Sequence, residues 1–201
     1  MALSAKAQLF NSVEVSTGVS LATQTSAYKN KNRSLRETVR PGFNVMVRMA
    51  GRINKLFSYT SDLGYVQKGY RYVSVNYFGF GRSVSTEREQ LIHYITYSPQ
   101  LKFGRQTGNF IPSIILGPRI DYQVGYEGKI NIDNTAHFFN KTIFGINTGL
   151  DVTYVVGNWG LTALFLYHAD ISKLYPVYNS TDLTYRNRAM IINLGVVYVL
   201  N

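Results

Sequence analysis

The segment Ile143-Phe-Gly-Ile-Asn-Thr-Gly-Leu-Asp-Val-Thr-Tyr-Val155 alternates between apolar and polar residues along its whole length. One side of an extended chain would carry the apolar residues Phe144, Ile146, Leu150, Val152 and Tyr154, with Thr148 as the one polar exception. The other side would carry Gly145, Asn147, Gly149, Asp151 and Thr153. Because successive side chains of a β-strand point to opposite faces, the pattern predicts a strand with one apolar and one polar face.

Seven further segments show the same period of two, and the signal is weakest in Gly160–Ser172. They are Val13–Thr23, Phe43–Ile53, Phe57–Tyr70, Leu91–Phe103, Pro112–Tyr126, Gly160–Ser172 and Arg188–Leu200. All are longer than the roughly five or six residues of ordinary strands, and they reach the roughly 9 to 11 residues of a tilted membrane-spanning strand. Within one of them, Pro112 and Pro118 predict a bulge or irregular pairing, because proline donates no ladder hydrogen bond.

The connections between these segments alternate strictly between short and long. The short ones are Asn54-Lys55, Gly104–Asn109 and Val156-Gly157-Asn158, and the long ones are Gln24–Gly42, Arg71–Gln90, Glu127–Thr142 and Lys173–Asn187. Tight periplasmic turns and long external loops are typical of outer-membrane barrels. This layout predicts that both termini are periplasmic.

Alternation alone also fits a soluble, lipocalin-like barrel with its apolar face inside. Two features favour the membrane. The polar face is poor in Lys and Glu, and aromatic residues gather towards both strand ends, as they do at membrane interfaces. We therefore predict an all-β fold, an eight-stranded antiparallel up-and-down transmembrane β-barrel formed by residues 8–201, in the outer membrane of a Gram-negative bacterium. Residues 1–7, with Ala5-Lys6-Ala7 before Gln8, are interpreted as the residual stub of a signal peptide.

The polar face of the predicted strands contains equal numbers of acidic and basic residues near its centre. They are Glu14, Asp62, Asp121 and Asp151 against Arg48, Arg52, Lys102 and Arg119. An eight-stranded barrel is just wide enough for side chains to fill it, and buried charges are costly unless they are paired. We expect a plugged lumen with a network of paired charges, and the alternative is a narrow pore or an ion path.

Catalytic patterns are sparse. The chain has no cysteine, and His93 and His137 are isolated, so we expect no catalytic, cofactor or metal site. His168, Asp170 and Ser172 share one face of a predicted strand, which leaves a lipid-modifying enzyme as an alternative. Neighbouring positions on one face are about 7 Å apart, however, whereas a working dyad needs about 3 Å. Tyr77–Arg82 is interpreted as a flexible aromatic loop.

The formal net charge is +10 and the pI is about 9.7. The basic residues form no single stripe, which argues against nucleic acid as a partner. Several of them occur in one predicted loop: Lys29, Lys31, Arg33, Arg36 and Arg40. A basic loop face of this kind could bind outer-membrane lipid or lipopolysaccharide phosphates.

Several segments together resemble the PorT-type family of eight-stranded outer-membrane β-barrels. They are Tyr97-Ser-Pro-Gln-Leu-Lys-Phe103, Ile115-Leu-Gly-Pro-Arg-Ile-Asp-Tyr122, Phe144-Gly-Ile-Asn-Thr-Gly-Leu150 and Leu194-Gly-Val-Val-Tyr-Val-Leu200. The resemblance implies an eight-stranded barrel with periplasmic termini and no catalytic residues, and one branch of the family is linked to protein secretion. We therefore expect a non-enzymatic structural or accessory subunit of an envelope or secretion complex. It would bind a protein partner through its long external loops or its wall.

Overall fold

The computed structural model describes residues 10–28, 37–78, 82–128, 140–172 and 183–200. In that part of the chain the regular elements are all strands: β1 Ser12–Tyr28, β2 Glu37–Thr38, β3 Arg40–Arg52, β4 Phe57–Phe78, β5 Arg82–Gly104, β6 Phe110–Gly128, β7 Thr142–Val156, β8 Trp159–Asp170 and β9 Leu183–Val199. The described residues include no helix long and apolar enough to cross a membrane. The predicted signal-peptide stub, residues 1–7, lies outside the described residues.

Eight of these strands close into an antiparallel barrel. Strand β1 pairs with both β3 and β9, and β4 pairs with β5, so the sheet has no open edge at barrel level. The short β2 adds to the side of β4 through Glu37 opposite Tyr72. The predicted fold class is confirmed.

The pairing register determines the shape of the barrel. A path around the barrel, from each residue to its partner on the next strand, starts at Gly104 of β5 and returns to β5 at Tyr94, ten residues away along that strand. The path passes through Gly104, Ser113, Asp151, Leu164, Asn193, Gly18, Asn44, Val66 and Tyr94. With about 4.8 Å between strands and about 3.3 Å per residue, this stagger gives a tilt of about 40° and a backbone radius of about 8 Å. Side chains can fill a lumen of that width.

The short connections lie together at one end of the barrel, the turn end, which also holds the described residues nearest both termini. They are residues 53–56, 105–109 and 157–158. Gly157 adopts φ 61° in the two-residue turn between β7 and β8, a left-handed conformation that glycine adopts without steric cost. Close to it, the amide of Leu200 donates to the carbonyl of Asn11 at 2.7 Å. The opposite end is called the loop end.

Three predicted long loops are wrong in whole or in part. Within the expected loops Gln24–Gly42 and Lys173–Asn187, β1 continues to Tyr28 and pairs with β9 from Leu183 onwards, and β3 already begins at Arg40.

The largest difference concerns β4 and β5. Residues 71–90 were expected to be a loop, yet β4 and β5 stay paired from Phe57 opposite Phe103 up to Phe78 opposite Arg82. Strand β6 pairs with β5 only as far as Gln90, and β2 reaches only Tyr72 on the other side. Residues 73–89 therefore form a two-stranded hairpin that extends beyond the rest of the sheet. Of the predicted aromatic loop, Tyr77–Arg82, the residues Tyr77 and Phe78 belong to β4 and Arg82 begins β5, and residues 79–81 lie outside the described part.

The irregular pairing predicted for the proline-containing strand occurs at Pro118. The β5–β6 ladder has regular pairs at Tyr97–Ile120 and at Leu101–Leu116, and none is recorded for the three residues between them on either strand. The constant register places Pro99 opposite Pro118. Neither proline has an N–H to donate, which accounts for the interrupted ladder. Pro112, by contrast, is in register with Val152 of β7.

The outer face of the barrel is apolar and the inner face is largely polar. In β7, residues alternate strictly from buried Ile143 to exposed Tyr154, and Leu194 of β9 is 70% exposed on the outside. Buried polar residues such as Asn147, Asp151 and Asn193 face the lumen. A soluble barrel requires the reverse arrangement. The exposed apolar face is therefore that of a membrane barrel.

Candidate functional site

The lumen contains two networks of buried charges, one nearer each end of the barrel. The turn-end network is centred on Arg48, which is 1% exposed. Its Nε and Nη2 atoms each donate to a different oxygen of Asp62 at 2.8 Å, and Nη1 donates to Oδ2 of Asp151 at 2.9 Å. Because Asp62 is the cross-strand partner of Arg48, this bidentate pair follows directly from strand register.

Two further charged residues complete the turn-end network. Lys102 Nζ donates to Oδ2 of Asp151 at 2.8 Å, and Oε2 of Glu14 lies 3.5 Å from Nη1 of Arg48. The other oxygen of Asp151 accepts hydrogen bonds from the hydroxyls of Thr153 and Thr162. Through the guanidinium of Arg48 and the carboxylate of Asp151, the network joins six strands of the barrel.

The loop-end network pairs two cations with two carboxylates. Lys68 Nζ lies 2.5 Å from Oδ2 of Asp121, and Nε of Arg119 lies 3.1 Å from the same oxygen. Arg119 also donates through Nη2 to Asp170. Its guanidinium lies over Gly145, where a Cβ would be 2.5 Å from Nη2. Only glycine leaves room for Arg119 at that position.

Polar side chains continue between the two networks. Arg119 Nη1 donates to Oδ1 of Asn147 at 3.2 Å, and Nδ2 of Asn147 donates to Oγ of Ser98 at 2.9 Å. The lumen also contains a buried apolar cluster of Ala22, Met46, Val66, Ile115, Leu164, Leu166, Ala189 and Ile191, together with further buried polar side chains such as Asn44, Gln100 and Asn193. Polar and apolar side chains thus fill the described lumen together.

Seven of the eight charged residues expected in the lumen lie in these networks: Glu14, Arg48, Asp62, Lys102 and Asp151 at the turn end, with Arg119 and Asp121 at the loop end. The exception is Arg52. It is exposed at the turn end, where its Nε donates to the backbone carbonyl of Asn54 at 3.2 Å. Lys68 and Asp170, which are not among those eight residues, are fully part of the loop-end network. Strand alternation alone would have placed both on the inner face.

The residues weighed as a catalytic set are not brought together. His168 is 1% exposed inside the lumen, and neither ring nitrogen has a hydrogen-bond partner among the described residues. Asp170 binds Arg119. Ser172 lies beyond the end of β8, and its hydroxyl accepts from the backbone amide of Phe144 at 2.8 Å. No group of metal-ligating side chains occurs within the described ranges.

A polar cluster on the outer wall was not anticipated. The hydroxyl of Tyr65 is hydrogen-bonded to Nδ1 of His93, and Nε2 of Gln67 donates to that hydroxyl at 3.2 Å. Nε2 of His93 lies 3.4 Å from Glu127. The cluster lies at the loop end beside the β5–β6 register shift at His93 and Tyr94. His137, the other histidine interpreted as isolated, lies outside the described residues.

Aromatic pairs occur between neighbouring strands at the turn end. Ring centroids are 5.2 Å apart in Phe57–Phe103, 4.7 Å in Phe110–Tyr154 and 4.9 Å in Trp159–Tyr198. Towards the loop end, Phe43, Tyr122 and Phe144 are exposed on the outside. Phe144 and Tyr154 of β7 are about 33 Å apart along the strand, which at the 40° tilt is about 25 Å along the barrel axis. Outer-membrane barrels have an apolar band of about 25 Å.

Solved outer-membrane barrels have the same architecture. The chain aligns with Neisserial surface protein A at a TM-score of 0.52 and 16% identity, over 94% of this chain and 97% of that one. OprG of Pseudomonas aeruginosa aligns at a TM-score of 0.47 and 11% identity, over 95% and 97%. Ail of Yersinia pestis, in complex with sucrose octasulfate, aligns at 0.44 and 13%, over 94% and 99%. At these identities the alignments show a likeness of fold only. The argument rests on the first alignment, whose TM-score is 0.52.

No protein-family model and no curated protein matches the chain. The fold, its apolar outer face and the structural likeness define the class: an eight-stranded β-barrel of the outer-membrane type. The narrower resemblance to the PorT-type family is not confirmed.

Proposed function

We propose that this barrel is a closed, non-enzymatic scaffold that serves as an accessory subunit of an envelope or secretion complex. In this proposal the protein partner binds the hairpin of residues 73–89. The observation that carries the proposal is the extension of this hairpin beyond the barrel. A spanning barrel does not need these residues for closure, since neither β3 nor β6 pairs with them.

The hairpin offers strand edges that are suited to a protein partner. Residues 73–78 of β4 and residues 82–89 of β5 have only each other as recorded strand partners within the described ranges. Exposed strand edges are templates for pairing with another chain. The edge of β4 already accepts one short strand, because β2 pairs with Arg71 and Tyr72.

The packed lumen favours a scaffold over a pore. Arg48, Asp62 and Asp151 connect opposite sides of the barrel through hydrogen bonds of 2.8 to 2.9 Å. An ion crossing this level would have to break charge-assisted hydrogen bonds, which are among the strongest that side chains form.

The outer wall supports an orientation with the loop end outside the cell and both termini in the periplasm. Under this proposal the two groups of exposed aromatic residues form girdles at the two membrane interfaces. Three exposed cations, Lys141, Arg186 and Arg188, lie at or beyond the level of the loop-end aromatic residues. Lipopolysaccharide phosphates would be their ligands, since basic residues at a membrane surface bind anionic headgroups.

The test is an affinity purification from native outer membrane in mild detergent. The full-length chain is compared with a variant in which an Asn-Gly turn replaces residues 73–87, so that it connects Tyr72 to Arg88. These two residues are strand partners, and Asn-Gly favours a two-residue hairpin turn. The matched control is Arg105→Gln at the opposite end of the barrel.

We expect one protein to co-purify in stoichiometric amount with the full-length chain and with the control, and to be lost from the shortened variant. A partner that stays with the shortened variant would place the binding surface elsewhere. If no partner is found and single-channel recordings show conductance, the scaffold proposal fails in favour of a pore.

A further inference from the structure

A cavity of about 190 Å³ opens inside the barrel at the turn end. Its floor includes Glu14 and Arg48, its wall includes Val155 and Val197, and Arg52 and Lys55 line it near the turns. For comparison, an engineered protein cavity of about 150 Å³ admits benzene. The space therefore suits a ligand larger than an isolated ion.

The turn-end network, which borders this cavity, contains one carboxylate more than it contains cations. The turn-end network contains three carboxylates, Glu14, Asp62 and Asp151, but only two cations, Arg48 and Lys102. The loop-end network is balanced, with two of each sign. Since Arg52 stays outside the network, the lumen has an acidic excess at its turn end.

Glu14 is the residue where that excess is located. Both oxygens of Asp62 and both oxygens of Asp151 accept hydrogen bonds. Oε1 of Glu14 is buried and has no hydrogen-bond partner among the described residues. The residue is 4% exposed and lines the cavity. A buried carboxylate oxygen without a donor is costly. A positively charged donor in the cavity would satisfy it.

The mouth of the cavity, unlike its floor, is lined by basic side chains and favours a negatively charged group. Arg52 and Lys55 are exposed, and neither contacts a carboxylate among the described residues. The turns at this end, residues 53–56, 105–109 and 157–158, contain basic residues and no acidic ones. A ligand that bears only a positive charge would be repelled at the mouth, whereas a carboxylate would be attracted.

We propose that the turn-end cavity binds a short zwitterion of about dipeptide size, with its ammonium on Glu14 and its carboxylate on Arg52 and Lys55. Arg48 is the cross-strand partner of Glu14, and Arg52 is four residues further along β3, which corresponds to about 13 Å at about 3.3 Å per residue. Glu14 lies deeper in the barrel than Arg52, which is close to the end of β3. A ligand whose two charges are separated by several bonds matches that depth better than an α-amino acid.

The test is an NMR titration of the full-length barrel in detergent micelles at constant ionic strength, with glycylglycine as the probe. Two analogues separate the charges: N-acetylglycylglycine lacks the ammonium, and glycylglycine amide lacks the carboxylate. We expect saturable shifts of the amides of Gly51, Gly104 and Thr153, which belong to or adjoin the cavity lining. Each analogue should bind at least tenfold more weakly than glycylglycine, because each loses one charged hydrogen bond.

Three variants locate the binding groups. Glu14→Gln and Arg52→Gln should each weaken glycylglycine binding at least tenfold. Glu127→Gln, which removes an exposed carboxylate at the loop end, should leave it unchanged. Since Arg52 is exposed, its variant reports on binding even if Glu14→Gln perturbs folding.

Absence of saturable binding by glycylglycine, or equal affinity in Arg52→Gln, would overturn the proposal. Tighter binding of the amide than of glycylglycine would identify a cation site instead.

Discussion

Arg48 and Asp62 are cross-strand partners on the inner face of β3 and β4, and they share two parallel hydrogen bonds of 2.8 Å. Bidentate pairing between a guanidinium and a carboxylate combines strength with a fixed geometry. The third nitrogen of Arg48 reaches Asp151 on β7, so one side chain connects strands on opposite sides of the barrel. The contact of Arg48 with Asp151 crosses the lumen and helps to close it, and the scaffold proposal depends on a closed lumen.

Replacing Arg48 by methionine should strongly destabilise the barrel. The substitution leaves Glu14, Asp62 and Asp151 with Lys102 as their only cation, and removal of one partner from a buried ion pair costs about 3–5 kcal/mol. Equilibrium urea unfolding in phosphatidylcholine vesicles measures the change. Arg52→Gln is the control and should change the free energy of unfolding by less than about 0.5 kcal/mol. Equal losses in both variants would contradict the assignment of Arg48 as the centre of the network.

Lys68 and Asp121 should show strong energetic coupling. Lys68→Met leaves Asp121 with Arg119 as its only cation, and Asp121→Leu leaves the buried Lys68 without its ion-pair partner, whereas the double substitution removes both members of the pair. The double variant should be more stable than the sum of the single effects by about 1–3 kcal/mol. The half-buried pair Arg40–Glu89, at 2.7 Å, provides a matched cycle with an expected coupling of about 0.2–1 kcal/mol. Additivity at Lys68 and Asp121 would show that the pair does not form.

Leu194→Arg should destabilise the protein in lipid. Leu194 is four residues from Tyr198 on β9 and is 70% exposed on the outer face. An arginine at the middle of the lipid-facing band costs about 2–4 kcal/mol, and one near the interface costs about 0–1 kcal/mol. Val156→Arg, at the turn end of β7, is the corresponding interface control. If the two variants unfold at the same urea concentration, the outer face is not in contact with hydrocarbon at Leu194.

Trp159 should lie at a membrane interface. It is the only tryptophan of the chain, is 61% exposed and pairs with Tyr198 at the turn end. Its fluorescence should be quenched more by lipids brominated near the headgroup than by lipids brominated near the chain ends. The double variant Trp159→Phe/Leu194→Trp should show the reverse order. The same order in both proteins would argue against the proposed girdle.

The eight barrel strands could be predicted from the sequence because each has one lipid-facing and one lumen-facing side, which gives a period of two that is weakest in Gly160–Ser172. The hairpin of residues 73–89 was missed although it shows part of the same signal. Val73, Val75 and Tyr77 alternate with Ser74 and Asn76 in the sequence, and glycines such as Gly79 and Gly81 are typical of turns. The expectation that all external connections are loops led to the error, since a hairpin above the membrane does not need an apolar face.

The identities of the lumen charges were largely predictable, but their partners were not. Arg48 pairs with Asp62 because the two residues lie opposite each other on neighbouring strands. Its contact with Asp151, by contrast, depends on the ten-residue stagger of the closed barrel. That stagger results from pairing around the whole sheet, which a single sequence does not reveal. Arg52 differs from Arg48 only by its place at the strand end, where water and a turn carbonyl replace a carboxylate partner. Strand periodicity cannot detect that difference.

The most direct test of the account uses leucine methyl groups on one strand of the barrel in lipid nanodiscs. Leu161 of β8 is 64% exposed, whereas Leu164 and Leu166 of the same strand are 2% and 0% exposed. We predict that Leu161 shows nuclear Overhauser effects to lipid acyl chains and that Leu164 and Leu166 show none. Acyl-chain contacts at Leu164 or Leu166, or a Leu161 methyl in contact with water alone, would contradict a membrane barrel with a closed, packed lumen.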